Sequence, residues 1–354
     1  MSASWGTKVR YTLFGESHGV AIGVVIDGLP PGITFNWAEI EREMMRRAPG
    51  GALATARKEA DKVEVQSGLY NGKTTGAPLC AIIVNSNQRS SDYDLEIPVF
   101  RPSHGDYGGW VRFEGCNDPR GGGPFSGRLT APLTFAGAIA KQLLQAEGIH
   151  IGAHLQQIGK IQESRFTIED CTEETLNKLN RQPLPLLDAS LQESMKQAIL
   201  DAKEEGDSIG GQIEVAAVGV PAGKGDLFFG SVESRLGQVL FAIPAVKGVE
   251  FGLGFGITGL KGSQANDSWC KDNEQIRTKT NHNGGLLGGL TTGMPLVCRV
   301  AIKPTSSIFL PQETVNAAGE TCVLELRGRH DPCIVPRALP VVEAALAIVL
   351  WDIL

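Results

Sequence analysis

The chain lacks the features that mark secreted, membrane-spanning and metal-binding proteins. Its seven cysteines are an odd number and include no Cys-x-x-Cys pair, which predicts neither a disulfide framework nor a zinc site. The longest apolar stretch, residues 338–354, is interrupted by Pro340, Glu343 and Asp352 and is too short to span a bilayer comfortably. The N-terminus shows no basic start followed by an apolar run. We therefore expect a cytoplasmic protein with no membrane partner and no metal, whose C-terminal stretch forms a buried helix.

Basic charge and nucleotide-binding motifs are also missing. The formal net charge is -6 at pH 7, which argues against a nucleic acid or an anionic membrane surface as a partner. The chain contains no Gly-x-Gly-x-x-Gly after a first strand, no Gly-x-x-x-x-Gly-Lys-Ser/Thr and no spaced set of His, Cys and Asp. These absences disfavour a Rossmann dehydrogenase, a P-loop enzyme and a metalloenzyme. Any anion that the protein binds must therefore meet a local cluster of arginines.

The chain does have enough apolar residues for a large core, and it mixes helix and strand patterns. Its 354 residues are 42% hydrophobic, which suffices for one large domain or two smaller ones. N-terminal capping signals predict helices over 36–47 and 190–206. Apolar runs predict strands at 213–220 and 296–302. The polar, proline-punctuated segment 163–187 is predicted to be an insertion or a surface excursion.

Two regions of the chain resemble each other. Residues 15–32 (GESHGVAIGVVIDGLPPG) and 206–223 (GDSIGGQIEVAAVGVPAG) share Gly, Ser, Gly, Ile, Val, Gly, Pro and Gly at equivalent places. A second pair follows about 200 residues apart in the same order, with Gly-Arg at 127–128 and at 328–329, each ahead of an alanine-rich helix. We infer an internal duplication within a single domain of residues 1–354, with halves of approximately 1–160 and 200–354. Chance matching of glycine-rich segments is the alternative.

Several glycine-rich loops carry residues suited to chemistry. Ser17 and His18 lie between glycines ahead of an apolar strand, so that backbone and side chains can contact a ligand closely. His104 lies in a similar short loop, and for both histidines a merely solvated turn is the plain alternative. Residues 120–128 run from three glycines and two arginines into a helix, an arrangement that suits a phosphate, unless the loop is simply flexible. Asp331 precedes Pro332 and is expected to cap the last helix if it has no other role.

These segments together resemble chorismate synthase over the whole length from Gly15 to the last helix. The matching segments, in the order of the family, are GESHG…DGLPPG, RPSHGDY, RGGG, GDSIGG, AVKG, NHNGGLLGG, KPTSS and GRHDPC. The resemblance implies an α+β fold, a single large domain of two pseudo-symmetric halves in which antiparallel sheets sandwich helices, and a homotetramer. It also implies elimination of phosphate and a proton from a small-molecule substrate, 5-enolpyruvylshikimate 3-phosphate, assisted by reduced FMN. The product is chorismate, made in the last common step of the shikimate pathway for aromatic amino acids.

The resemblance assigns roles to individual residues. His18 would protonate the leaving phosphate, Ser17 would relay or orient that proton, His104 would donate to the reduced flavin, and Asp331 would help to take the substrate proton. Substrate anions would meet Arg47, Arg128 and Arg337. The residues implied in FMN binding are Phe125, Ser126, Ala245, Gly288, Lys303, Pro304, Thr305, Ser306, Ser307 and Arg329.

The chain departs from the commonest family pattern at five positions, each of which removes a polar contact. These positions are Ala48, Leu53, Pro124, Leu129 and Pro244. The change at Leu53 puts in doubt any role of that position with NADPH, which would be needed only if the protein reduces its own flavin. Two other hypotheses therefore stay open beside an active enzyme: a flavin-binding protein without lyase activity, and a purely structural oligomeric protein.

Overall fold

The computed structural model describes residues 3–50, 61–85, 97–326 and 330–354. The helices in these ranges are α1 Trp37–Arg47, α2 Asp106–Arg112, α3 Thr130–Ala146, α4 Glu173–Leu179, α5 Gln192–Glu204, α6 Val232–Ala242, α7 Gly262–Ala265 and α8 Val335–Ile353. The strands are β1 Ser4–Trp5, β2 Arg10–Gly15, β3 Ala21–Asp27, β4 Val63–Ser67, β5 Leu69–Tyr70, β6 Lys73–Thr74, β7 Leu79–Val84, β8 His150–Ile158, β9 Ile161–Gln162, β10 Gly211–Val218, β11 Val246–Phe251, β12 Trp269–Asp272, β13 Gln275–Thr278, β14 Leu286–Leu287, β15 Leu290–Thr291, β16 Leu296–Ile302, β17 Gln312–Val315 and β18 Thr321–Leu324.

Two five-stranded antiparallel sheets form the outer layers of the molecule. The first has the order β1-β2-β3-β7-β4 and the second the order β11-β16-β10-β8-β9. Helix α3 lies between them and packs against β3 and β7 on one side and β8 on the other, while α8 packs on α3, β8 and β10. Nearly every residue of α8 is buried, because this helix is apolar on all sides and lies in the middle layer. The structure is thus the α+β sandwich that the resemblance implied.

The same succession of elements occurs twice along the chain. In the first half it is β2, β3, α1, β4, β7 and α3, and in the second half β8, β10, α6, β11, β16 and α8. The four strands of each half also take the same order in their sheets, β2-β3-β7-β4 and β8-β10-β16-β11. In this correspondence β8 is the counterpart of β2 and β10 that of β3. The internal duplication, with halves of approximately 1–160 and 200–354, stays a prediction.

The individual elements agree with most of the sequence signals. Helix α1 begins after Asn36, whose side chain accepts a hydrogen bond from the N–H of Glu39, and the strand predicted at 296–302 has those bounds. The cap predicted at Ser190 was wrong, because Asp188 caps a short 3₁₀ turn that precedes α5. The segment 163–187 is not only a surface excursion, since α4 lies within it and packs two buried leucines on the outer face of the second sheet. None of the helices in the described ranges is long and apolar enough to cross a membrane.

Candidate active site

A cavity of about 970 Å³ opens between loops from both halves. Its lining comes from the loop after β2, from residues 101–106 and 121–127, from the end of α6 through the start of β11, from 303–307 and from the approach to α8. A cavity of this size suits a ligand as large as a cofactor together with a small substrate. Residues as far apart in the sequence as Ser17 and Ile334 therefore meet at one place.

Ser17 and His18 form a hydrogen-bonded pair in the wall of this cavity. Ser17 Oγ lies 3.0 Å from His18 Nδ1 and 3.1 Å from the carbonyl oxygen of Gly121, to which it can donate. The two side chains are buried, because the glycine loop at 121–123 packs directly on them. Gly121 has φ +59°, and a Cβ at this position would lie 2.2 Å from His18 Cε1. Only glycine allows this approach, so the loop is a packed support and not a flexible segment.

His104 is held through both of its ring nitrogens. Nδ1 lies 2.9 Å from the carbonyl oxygen of Pro102, and Nε2 lies 2.9 Å from Ser307 Oγ. Because a carbonyl can only accept, the proton of the neutral ring is on Nδ1, and Nε2 accepts from Ser307. Burial, followed by the nearby positive charge of Arg101, lowers the pKa of His104 to about 4. His104 is therefore neutral at pH 7 when no ligand is bound.

The segment 303–307 faces the histidine loop of residues 101–106. Lys303 Nζ donates to the carbonyl oxygen of Ser103 at 2.8 Å and also contacts Ser306 Oγ. Burial and then the charge of Lys247 lower the pKa of Lys303. Pro304 and Thr305 line the same wall. The buried hydroxyl of Thr305 has no hydrogen-bond partner among the described residues, which leaves it available to a ligand.

Three further residues that the resemblance assigned to FMN also line the cavity: Phe125, Ser126 and Ala245. Phe125 is 44% exposed, and its ring packs beside Gly105 and Gly109. Ser126 Oγ accepts from the N–H of Arg128 at 3.2 Å. Ala245 has φ +73°, a left-handed conformation that is costly for a residue with a Cβ and is found mainly where function requires it.

Arg47 and Arg128 share one buried carboxylate, that of Asp61. Arg47 ends α1 and Arg128 lies in the turn before α3, and each guanidinium pairs with a different oxygen of Asp61. Arg47 also donates to Thr130 Oγ1 at 3.1 Å. Arginine suits such a site because its planar fork stays charged and can hold carboxylates and phosphates.

Asp331 pairs with the side chain of Arg337, in the first turn of the last helix, and does not cap the backbone of that helix. Helix α8 begins after Ile334 without a side-chain cap, so the expected capping role of Asp331 was wrong. Arg337 contacts the Asp331 carboxylate and donates through Nε to the carbonyl oxygen of Arg47 at 3.0 Å. Although His330 and Ile334 line the cavity, Asp331 and Arg337 are not among its lining residues. Arg337 instead borders a second cavity of about 930 Å³.

One residue that the resemblance assigned to FMN, Gly288, is not brought to this cavity. Gly288 lies at the tip of the β14–β15 hairpin, with φ +63°, and is not among the lining residues. Arg329 lies outside the described residues, as does Leu53.

Sequence reasoning missed the partners that hold the site together. Asp106 accepts two hydrogen bonds from the Arg101 side chain, at 2.7 and 2.8 Å. Burial would raise the pKa of Asp106, but the hydrogen bonds and the charge of Arg101 lower it. The RPSHGDY segment was the available signal for this pair, because it contains both residues five positions apart. No local sequence pattern predicted that Asp61 and Asn85 contact Arg128.

Two hydrogen-bonded histidines in a large cavity, with Lys303 and several hydroxyls in its wall and buried arginines near it, are groups that suit an enzyme with anionic ligands. The comparisons with known proteins agree, since the family model described as "Chorismate synthase" matches residues 9–354. The chain is 46% identical to "Chorismate synthase" of Thermococcus kodakarensis, over 98% of this chain and 96% of the relative. For the protein of the same name from Dehalococcoides mccartyi, the identity is 46% over 100% and 96%. A solved structure titled "Crystal Structure of Chorismate Synthase" superposes with a TM-score of 0.76 and 30% identity, covering 98% of this chain and 92% of that one. The chain belongs to the chorismate synthase family and is a lyase.

Proposed function

We propose that the chain converts 5-enolpyruvylshikimate 3-phosphate to chorismate and phosphate in the cavity of about 970 Å³. The observation that carries this proposal is that two differently held histidines face one cavity beside a buried arginine cluster. A 1,4-elimination needs groups that move protons at two places and groups that hold a phosphate and carboxylates. The residues around this cavity are of those kinds.

The residues present fit a bound FMN. Phe125 and the Ala245 turn offer a flat apolar contact, while Lys303, Ser306 and the unpartnered hydroxyl of Thr305 offer donors. When bound, reduced FMN supplies electron density beside the substrate ring, which assists the departure of phosphate. Pro304, Ser307 and Ser126 would complete the binding surface. Gly288 and Arg329 remain proposals from the resemblance alone.

His18 is proposed to donate a proton to the leaving phosphate. Imidazole groups titrate near pH 6.5 and the second proton of a phosphate near 6, so transfer between them is nearly balanced. The Ser17 hydroxyl, 3.0 Å from His18 Nδ1, would orient the ring so that Nε2 can point toward a ligand. A general acid of this kind contributes about a hundredfold to ten-thousandfold in rate.

His104 and Asp331 are proposed to handle the other proton. His104 is neutral in the ligand-free site, because its pKa is lowered to about 4. A negatively charged ligand against Nε2 would raise that pKa, and His104 could then donate. Asp331, paired with Arg337, would accept the proton lost from the substrate.

Arg47, Arg128 and Arg337 are proposed to bind the carboxylates and the phosphate. They belong to one network, since Arg337 donates to the carbonyl oxygen of Arg47 and Arg47 shares the carboxylate of Asp61 with Arg128. The departures at Ala48, Pro124, Leu129 and Pro244 remove polar groups from the rim and leave this cluster in place. We therefore expect weaker rim contacts and an intact centre.

Anaerobic turnover with chemically reduced FMN, followed as chorismate absorbance, tests the proposal. We expect chorismate and phosphate in equal amounts with no net oxidation of the flavin. Flavin binding without product would favour the flavin-binding alternative, and no flavin binding at all would favour a structural protein. Repeating the assay with oxidised FMN and NADPH shows whether the chain reduces its own flavin.

We further propose that the protein is a cytoplasmic homotetramer. Phe228 and Phe229 are 85% and 96% exposed, and Phe255 is 84% exposed; aromatic rings so far out of the core support burial against another copy. Light scattering on the purified chain tests the assembly, with a mass near four times that of the monomer expected. The odd number of cysteines without Cys-x-x-Cys pairs supports a reducing compartment.

A further inference from the structure

Asp61 lies at a point where three segments of the first half converge. Its side chain is 1% exposed, and those of Arg47 and Arg128 are 4% and 5% exposed. One carboxylate oxygen pairs with Arg47 and the other with Arg128. A carboxylate that is bound on both oxygens by two guanidiniums fixes the angle between them, because the fork geometry is directional.

The backbone of Asp61 supports a specific role. Its φ is +42°, in the left-handed region where residues with a Cβ are strained and where Asp and Asn are tolerated best. Such strain persists only when the surroundings hold it, and it concentrates at functional sites. The conformation presents the carboxylate to both arginines at once.

Arg128 extends this network to the histidine loop. Its Nε donates to Asn85 Oδ1 at 3.1 Å, and Asn85 Nδ2 donates to the carbonyl oxygens of Glu16 and Gly19 at 3.0 and 2.9 Å. These two carbonyls flank Ser17 and His18. Asp61 is thereby connected, through one arginine and one amide, to the backbone that carries the proposed proton donor.

We propose that Asp61 is a positioning residue for the anionic substrate, holding Arg47 and Arg128 at a fixed angle and tying them through Asn85 to the His18 loop. The inference rests on the proposed function, since it assigns the arginines to substrate anions. Asp61 does not touch the substrate. Its effect is to keep two buried cations in one arrangement before the ligand arrives, which lowers the cost of binding.

Asp61→Asn is the direct test, because asparagine keeps the shape and tolerates the left-handed backbone but removes the charge. We expect kcat/KM to fall by about tenfold or more, mainly through a higher KM for the substrate. FMN affinity should stay within about twofold. We also expect inorganic phosphate to raise the melting temperature of the wild-type protein and to raise that of the variant less, which a merely structural role would not cause.

Asp352→Asn is the matched control. Asp352 is as buried as Asp61, pairs with Arg235 and accepts from the N–H groups of Thr7, Lys8 and Val9, and none of these partners is a residue proposed to bind the substrate. This variant should lose stability and keep the wild-type KM. If Asp61→Asn loses stability with an unchanged KM, the inference is wrong.

Asn85→Ala decides the question if Asp61→Asn does not fold. This substitution removes the hydrogen bonds that connect Arg128 to the loop of Ser17 and His18. It leaves both arginine pairs of Asp61 in place. A severalfold lower kcat is expected, and wild-type kcat and KM would contradict the network. Wild-type protein that forms no chorismate would contradict the proposed function itself, whereas wild-type turnover with unaffected variants contradicts only this inference.

Discussion

The loops that precede the two central strands have similar sequences and different tasks. In the first half the loop before β3 carries Ser17 and His18 into the cavity wall. In the second half the loop before β10 has Ile209 at the place of His18. There, Ser208 Oγ donates to the carbonyl oxygen of Thr305 at 2.6 Å, and the N–H of Ile209 donates to that of Pro332 at 2.8 Å. One loop therefore carries candidate chemistry, and the other supports the segments that line the opposite wall.

This difference indicates that the glycines of the loop serve the fold, whereas the histidine serves the proposed chemistry. Glycine is needed in both loops, because a Cβ at Gly15 or at Gly210 would lie 2.4 Å from a backbone oxygen of a neighbouring segment. The histidine is needed only where the cavity opens. If the chain arose by duplication, as the sequence predicts, both copies of the loop kept the shape and only one has the histidine.

The largest effect is expected from removing His18, the proposed proton donor in the loop before β3. His18→Ala should lower the rate of elimination by about a hundredfold or more, as for loss of a general acid. FMN affinity should stay close to the wild-type value, because the proposed flavin contacts are elsewhere. Steady-state chorismate formation under anaerobic conditions measures the rate. Full turnover in this variant would overturn the role given to His18.

A smaller loss of activity is expected when an added side chain crowds the glycine loop that packs on His18. Gly121→Ala would place a Cβ 2.2 Å from His18 Cε1 and 2.5 Å from Ser17 Oγ, at φ +59°. We expect kcat to fall about tenfold, because a displacement of about 1 Å in a reacting group costs tenfold to a hundredfold. Gly237→Ala, where a Cβ would meet nothing within 4 Å, is the matched control and should keep wild-type kcat. Equal activity in both variants would show that the glycine loop does not position His18.

For the loop before β10, the expected loss is in the affinity for FMN. Ser208→Ala removes the hydrogen bond to the carbonyl oxygen of Thr305, worth about 1 kcal/mol. We expect a roughly fivefold weaker affinity for FMN and an unchanged kcat at saturating FMN. Titration of flavin fluorescence measures the affinity. A lower kcat at saturation with normal affinity would assign chemistry to this loop and remove the contrast between the halves.

The smallest effect concerns His154 and His104, whose pKa values shift in opposite directions. His154 in β8 is fully buried between Glu163 and Glu214; burial opposes its charge, yet the hydrogen bonds and charges of both glutamates raise its pKa. A raised pKa stabilises the fold below the usual histidine pKa of about 6.5, and this contribution is lost as the pH rises through the folded-state value. His104, at about 4, disfavours the fold as the pH falls from about 6.5 to 4.

Urea unfolding of His154→Gln between pH 6 and 9 checks the first of these signs. The deficit in the free energy of unfolding relative to wild type should be largest at pH 6 and should shrink toward pH 9. A deficit that grows with pH would show that His154 is buried as the neutral ring.

The sequence predicted those features that depend on neighbours in the chain. Helix α1 follows from Asn36 and Glu39, and strand β16 from an apolar run of seven residues. The pairing of Arg47 and Arg128 with Asp61 was not predictable, because it joins residues 14 and 67 positions apart. Asp331 appeared to be a helix cap for a different reason: its position before Pro332 suits a cap, but its side chain pairs with that of Arg337 in the first turn of the helix. The roles assigned to the site residues stay predictions.

A crystal structure with FMN and the substrate bound tests the central claim most directly, because the claim is that one cavity holds both. The account predicts the flavin ring against Phe125 and Ala245, with the substrate phosphate within hydrogen-bond reach of His18 and its carboxylates on Arg47, Arg128 or Arg337. A substrate phosphate bound away from His18, or a flavin outside the cavity, would contradict it.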